Sequence, residues 1–165
     1  MKKLFLLSAI ALFAVTTLNA QVGVDRDKNG QFYGGIQPGF PIGDSADLTT
    51  FSIAIDLGYL FELSDDFDAG VASGYTHASG EDGFDDFQFI PVAGSIYFNA
   101  SESVSFGGDI GYAINAGSGG GGDFYYRPAL VYKFDESNAI AVDFRTVSGD
   151  GVSFSWLGVG YRRSF

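Results

Sequence analysis

The chain has 165 residues, with 20 Asp and Glu against 9 Lys and Arg, a formal net charge of −11, no cysteine and a single histidine, His77. So acidic a chain repels nucleic acid, which excludes it as a partner. The missing cysteines exclude a disulfide framework and thiolate metal sites, and one histidine leaves little room for zinc chemistry.

Lys2 and Lys3, an apolar run from Leu4 to about Val15, and Leu18-Asn19-Ala20 before Gln21 follow the charged, hydrophobic and small-residue plan of a secretory leader. The run is shorter than the roughly 18 residues of a membrane-spanning helix. Cleavage after Ala20 is therefore expected, and loss of two lysines takes the formal charge from −11 to −13. The expected organisation is a signal peptide over 1–20, an acidic N-terminal segment over 21–30 and one barrel domain over 31–165.

From there the chain alternates with period 2, the signature of strands. Phe32, Ile36, Pro38 and Phe40 mark a strand at about 31–40, and Phe51, Ile53, Ile55, Leu57, Tyr59 and Phe61 mark the cleanest run, at about 50–62. Phe67, Val71 and Tyr75 give a third. A fourth, at about 87–98, is expected to point Ile90, Val92, Ile96 and Phe98 outward, although Phe87, Phe89 and Tyr97 share the opposite parity. Val104, Phe106, Ile110, Tyr112 and Ile114 define the fifth, and Phe124, Tyr126, Leu130, Tyr132 and Phe134 the sixth. Ile140, Val142 and Phe144 define the seventh. The eighth counts back from Phe165 through Tyr161, Val159 and Leu157, interrupted by Arg163.

The links at about 63–66, 99–102 and 135–137 are tight and polar, whereas those at about 41–49, 77–86 and 115–122 are longer; the one at 148–151 is short. Short turns alternating with longer loops, and apolar faces alternating with Gly, Ala, Ser or isolated charges, predict an all-β fold: an eight-stranded antiparallel up-and-down transmembrane β-barrel. A secreted soluble barrel or sandwich would reverse the faces. In the second run the alternate positions are Ser52, Ala54, Asp56, Gly58, Leu60 and Glu62, a narrow set suited to a crowded lumen.

The leader, the eight strands, Ile90-Pro91-Val92, Gly111-Tyr112 and the ending Gly158-Val159-Gly160-Tyr161-Arg162-Arg163-Ser164-Phe165 resemble the small OmpA/OmpX-type outer-membrane barrel family. The resemblance implies residence in the cell outer membrane, contact with its lipid and lipopolysaccharide, and delivery by the barrel-assembly machinery. It also implies an assembly signal in the last strand, with Gly160 as its glycine, Tyr161 within it and Phe165 as its terminal aromatic. A periplasmic peptidoglycan-binding domain, as larger members carry, is not expected.

Inward positions include Asp56, Asp109, Arg127, Asp143 and Arg145, which by counting from the short turns lie at similar heights near mid-barrel. A lower group holds Glu62, Asp68, Lys133 and Arg162. An unpaired ion in a narrow lumen costs several kcal/mol, so the first group is expected to form an ion-pair and hydrogen-bond plug, with a proton or ion path as the alternative.

Other motifs are weaker. His77, Ser79 and Glu81 share one face of an extended chain where the third strand enters its loop, but Gly80 and Gly83 argue against a preorganised catalytic site. Asp25, Asp27, Asn29 and Gly30 begin like a calcium loop, yet Ile36 stands where the bidentate Glu belongs. Glu81, Asp82, Asp85 and Asp86 form an acidic loop cluster, and Gly117 with Gly119 to Gly122 lacks the lysine of a phosphate loop. No catalytic residue, metal site or cofactor is expected. The role expected is envelope structure or interaction with a surface ligand, with a narrow channel or small-ligand carrier as the alternative.

Overall fold

The computed structural model describes residues 30–117, 120–149 and 153–165. The leader and Asp25, Asp27 and Asn29 lie outside the described residues. Eight strands follow in chain order: β1 (Gln31–Pro41), β2 (Thr49–Ser64), β3 (Phe67–Gly80), β4 (Phe87–Asn99), β5 (Val104–Asn115), β6 (Gly122–Lys133), β7 (Asn138–Ser148) and β8 (Ser153–Ser164). Each pairs antiparallel with its sequence neighbour, and β1 pairs with β8 to close the barrel. Closure removes the unpaired edges that an open sheet would leave in lipid.

The alternation decides which way each strand faces. Ile36, Ile55, Val92, Ile110, Leu130 and Val159 all stand exposed on the outer wall. Aromatic side chains ring both ends of this band, with Phe40, Phe51 and Phe124 towards the longer loops and Phe32, Phe67 and Phe165 towards the short turns. Such a wall is wrong for water and right for acyl chains, with rings at the two interfaces. The chain is thus a transmembrane barrel of the outer-membrane type.

Strand limits differ from the sequence reading mainly at the loop end. β3 runs on to Gly80, so His77 and Ser79 are strand residues beside Gln88 and Phe51 and not the start of a loop. β7 and β8 extend to Ser148 and back to Ser153, where small polar residues carry no outward hydrophobic signal. A 3-10 turn, Gly43–Asp47, folds against β8: the Ser155 amide donates to Ser45 Oγ at 2.6 Å, and Ser45 Oγ donates to the Ser153 carbonyl. β4 faces as expected, with Ile90, Val92 and Ile96 outside and Phe89 and Tyr97 within.

Candidate lumen site

The inner wall has three levels. At mid-barrel, strands β2, β5, β6 and β7 bring Asp56, Asp109, Arg127, Asp143 and Arg145 together, every one of them buried. Arg127 Nη1 donates to Asp56 Oδ2 at 2.5 Å, and Arg127 Nη2 lies 2.6 Å from Asp109 Oδ2 in an ion pair that is off the hydrogen-bond line. Arg145 Nη2 donates to Asp56 Oδ2 at 2.9 Å and to Asp143 Oδ2 at 3.1 Å, while its Nη1 donates to Thr76 Oγ1 at 2.8 Å. Ser95 Oγ donates to Asp109 Oδ1 at 2.7 Å. Two guanidiniums and three carboxylates therefore share one network, with Asp56 bridging both arginines.

Counting from the turn at 135–137 sets Arg127 on the sixth strand beside Asp143 and Arg145 on the seventh, but its nearest carboxylates are others. Asp143 is 3.6 Å from Arg127 and so is its most distant carboxylate. Asp109 stands directly opposite Arg127 in the ladder, and Asp56 reaches it from across the lumen. Strand tilt shifts heights around the barrel, and an arginine is long enough to span it. Small neighbours leave the space: Asp143 lies between Ala129 and Gly158, where an added Cβ would meet Asp143 Oδ1 at 2.9 Å.

Towards the longer loops the lumen is aromatic, which the sequence reading missed in describing the inner face as small or charged. Phe89, Tyr125 and Trp156 are fully buried. Phe87 stacks on Phe154 at 4.4 Å between centroids and 9° between planes, and Trp156 lies 5.9 Å from Phe87. The signal was present as the odd parity of Phe87 and Phe89, and as Trp156 facing away from Leu157.

Towards the short turns, the Arg162 guanidinium sits 3.4 Å from the Tyr33 ring centroid and 5.2 Å from that of Tyr97, a cation–π stack. Below it opens a cavity of about 410 Å³ lined by Glu62, Asp68, Lys133 and Arg162, the four residues of the lower group. Glu62 and Asp68 face each other in the β2–β3 ladder, and Lys133 and Arg162 flank Ala139 on consecutive strands.

On the outer rim, His77 Nε2 lies 3.7 Å from Asp86 Oδ2, and the Gly80 amide donates to Asp86 Oδ1 at 3.1 Å. Ser79 accepts on its carbonyl from Thr50 Oγ1, and Glu81 is tied through its backbone to Leu48 and Phe84. These contacts do not assemble a nucleophile with its base. Among the described residues no three His, Asp or Glu side chains are grouped to hold a metal ion, the acidic cluster at 81–86 included.

In the last strand, an added Cβ at Gly160 would meet the Ile36 carbonyl at 2.2 Å, so β1 and β8 approach closely there. The Tyr161 hydroxyl donates to Asn138 Oδ1. The Phe165 amide donates to the Phe32 carbonyl at 2.9 Å, and the two rings lie 6.1 Å apart.

No family model matches the sequence, and no curated protein matches it. Solved structures do. The attachment invasion locus protein Ail of Yersinia pestis superposes with a TM-score of 0.61 at 17% identity, covering 84% of this chain and 99% of that one. Neisserial surface protein A superposes with 0.53 at 13% identity, covering 84% and 100%. A designed transmembrane β-barrel reaches 0.56 at 13% identity, covering 84% and 98%. The chain therefore has the fold of the small eight-stranded outer-membrane barrels. A barrel designed from scratch fits as well as a natural surface protein, so the likeness speaks of fold and not of task.

Proposed function

We propose that the protein is a non-enzymatic barrel of the outer membrane whose polar lumen is plugged, and that it serves envelope structure or surface interaction through its external loops. The observation that carries this reading is the mid-barrel network, in which Arg127 and Arg145 tie β6 and β7 to Asp56 on β2 and Asp109 on β5. Charges so paired, beneath a stack of rings, oppose the passage of an ion and support this reading. Purified protein in planar bilayers should give no stable, large conductance step. A reproducible step would replace the plug with a narrow channel.

One Ail structure is a complex with the heparin analogue sucrose octasulfate. The external connections here, 42–48, 81–86, 116–121 and 149–152, contain Asp44, Asp47, Glu81, Asp82, Asp85, Asp86 and Asp150 but no Lys or Arg. A sulfated polysaccharide would be repelled, so a surface ligand of this chain is of other chemistry. Outer-membrane lipid and the acyl chains of lipopolysaccharide are the partners of the outer wall.

Gly160, Tyr161 and Phe165 are proposed as the signal read by the barrel-assembly machinery. Because Phe165 also packs on Phe32, its deletion must be measured twice. Outer-membrane yield in cells should fall while refolding in detergent stays largely intact; equal yield in cells sinks the proposal.

A further inference from the structure

The cavity at the short-turn end holds a pair of cations with a gap between them. Lys133 on β6 and Arg162 on β8 each stand opposite Ala139 on β7 in the ladder, and all three line the cavity. Neighbouring strands lie about 4.8 Å apart, so the two bases rise about 10 Å apart and their long side chains can close on one anion over the alanine methyl. Among the described residues the ion pairs of the lumen run through Arg127 and Arg145, and none involves Lys133 or Arg162. The Arg162 guanidinium is held by its face, 3.4 Å from the Tyr33 ring centroid, which leaves its in-plane N–H groups to meet a carboxylate. The rest of the wall narrows the class of ligand. Glu62 and Asp68, with Asp135 and Glu136 of the turn before β7, set four acids around a cavity with two bases. Their summed field repels a bare anion and draws a cation, whatever each acid is paired with. One inward position deeper than Glu62 and Lys133, Leu60 and Val131 add an apolar patch.

We propose that this cavity binds short zwitterionic peptides from the side of the short turns, which in such barrels is the periplasm. The peptide carboxylate lies over Ala139 between Lys133 and Arg162, its ammonium faces the acidic rim, and an apolar side chain rests against Leu60 and Val131. The volume of about 410 Å³ falls within the roughly 300–1,000 Å³ of small-molecule sites. Length matters because the charges must part. Two extended residues set the ammonium about 7 Å from the carboxylate and away from the two bases, whereas a single amino acid keeps its ammonium beside them. The inference goes beyond the plugged-barrel reading and does not need it, since a blind cavity and the vestibule of a channel would bind alike.

The probe is the dipeptide alanyl-leucine, titrated into the mature chain from Gln21 folded in detergent, with heat-modifiable gel migration as the check of folding. Calorimetry and the backbone amide resonances of β7 and β8 read the binding. The expected result is saturable one-to-one binding that shifts the Ala139 amide. Alanyl-leucine amide, which lacks the carboxylate, and the N-acetyl dipeptide, which lacks the ammonium, should each bind about tenfold more weakly. Lys133→Gln should weaken the dipeptide about tenfold and leave the amide as it was. Arg162→Lys, which keeps the charge and loses the fork, should also weaken it; should that variant fail to fold, Lys133→Gln carries the test. No saturation by about 10 mM overturns the proposal, as does an affinity that Lys133→Gln leaves unchanged. An amide or an N-acetyl dipeptide that binds as tightly as the zwitterion overturns the ligand class. A conducting barrel would leave these titrations as they are, so failure of the plug and failure of the site are told apart.

Discussion

The two upper levels of the lumen fill the same narrow barrel by opposite means. Around Trp156 and Phe89 the filling is aromatic, held by area and stacking; around Arg127 and Asp56 it is ionic, held by charge balance and directed donors. Dispersion is non-directional and forgives a change of shape that keeps volume. A buried charge forgives nothing, because each ion is tolerable only while its partner is present.

The largest effect should come from removing one member of the ionic level. Arg127→Met leaves Asp109 and Asp56 short of a cation and should cost about 3–5 kcal/mol in denaturant unfolding from micelles. Arg127→Met with Asp109→Leu should cost less than the two single changes summed, since the ladder places these residues opposite each other. Simple additivity would show that the charges are not coupled and would erase the contrast between the levels.

Next in size is a charge on the outer wall. Ile55 stands exposed near the middle of the lipid-facing band on β2, and Ile55→Lys should cost roughly 2–4 kcal/mol in lipid vesicles, with a smaller loss towards either interface. Equal cost at Ile55 and at the rim residue Phe51 would mean that the band is not a membrane face.

What could be read in the sequence follows from the same contrast. Lipid demands a continuous apolar wall, so period 2 on one face was plain in β2 and carried the strand count, the closure and the outward set. The height of the five mid-barrel charges could be counted from the short turns. Their partners could not, because tilt between strands and the reach of an arginine decide that Arg127 meets Asp56 and Asp109 ahead of Asp143. The aromatic level hid for another reason: where Phe87 and Phe89 share a strand with Ile90 and Val92, both faces are apolar and parity loses its meaning. β8 hid its upper half for a different reason, because the outward apolar signal stops there, with Phe154 and Trp156 inward and Ser153 and Ser155 on the outward parity.

The aromatic level should be the tolerant one. Trp156→Phe keeps a ring in the stack and deletes an indole Nε1 that has no hydrogen-bond partner among the described residues, so the cost should stay under about 1.5 kcal/mol. A loss as large as that of Arg127→Met would show that the aromatic level is as exacting as the ionic one.

The smallest effect belongs to a charge in the short turn at the mouth of the lower cavity. Asp135, in the turn before β7, is fully exposed; the Asn138 side-chain amide first, then the Ser137 and Asn138 backbone amides, hold its carboxyl below the ordinary carboxylate range. A group whose folded pKa is depressed contributes stability above its unfolded pKa, near 3.9, and loses it as pH falls through the lower folded value. Wild-type protein should therefore lose a small increment of stability below about pH 4 that Asp135→Asn, which keeps the shape without the charge, does not lose. Salt should shrink the increment, since an exposed carboxylate is screened. If Asp135→Asn instead destabilised the barrel at neutral pH as much as Arg127→Met, burial would not be what makes the mid-barrel charges matter, and the contrast between the two levels would need another cause.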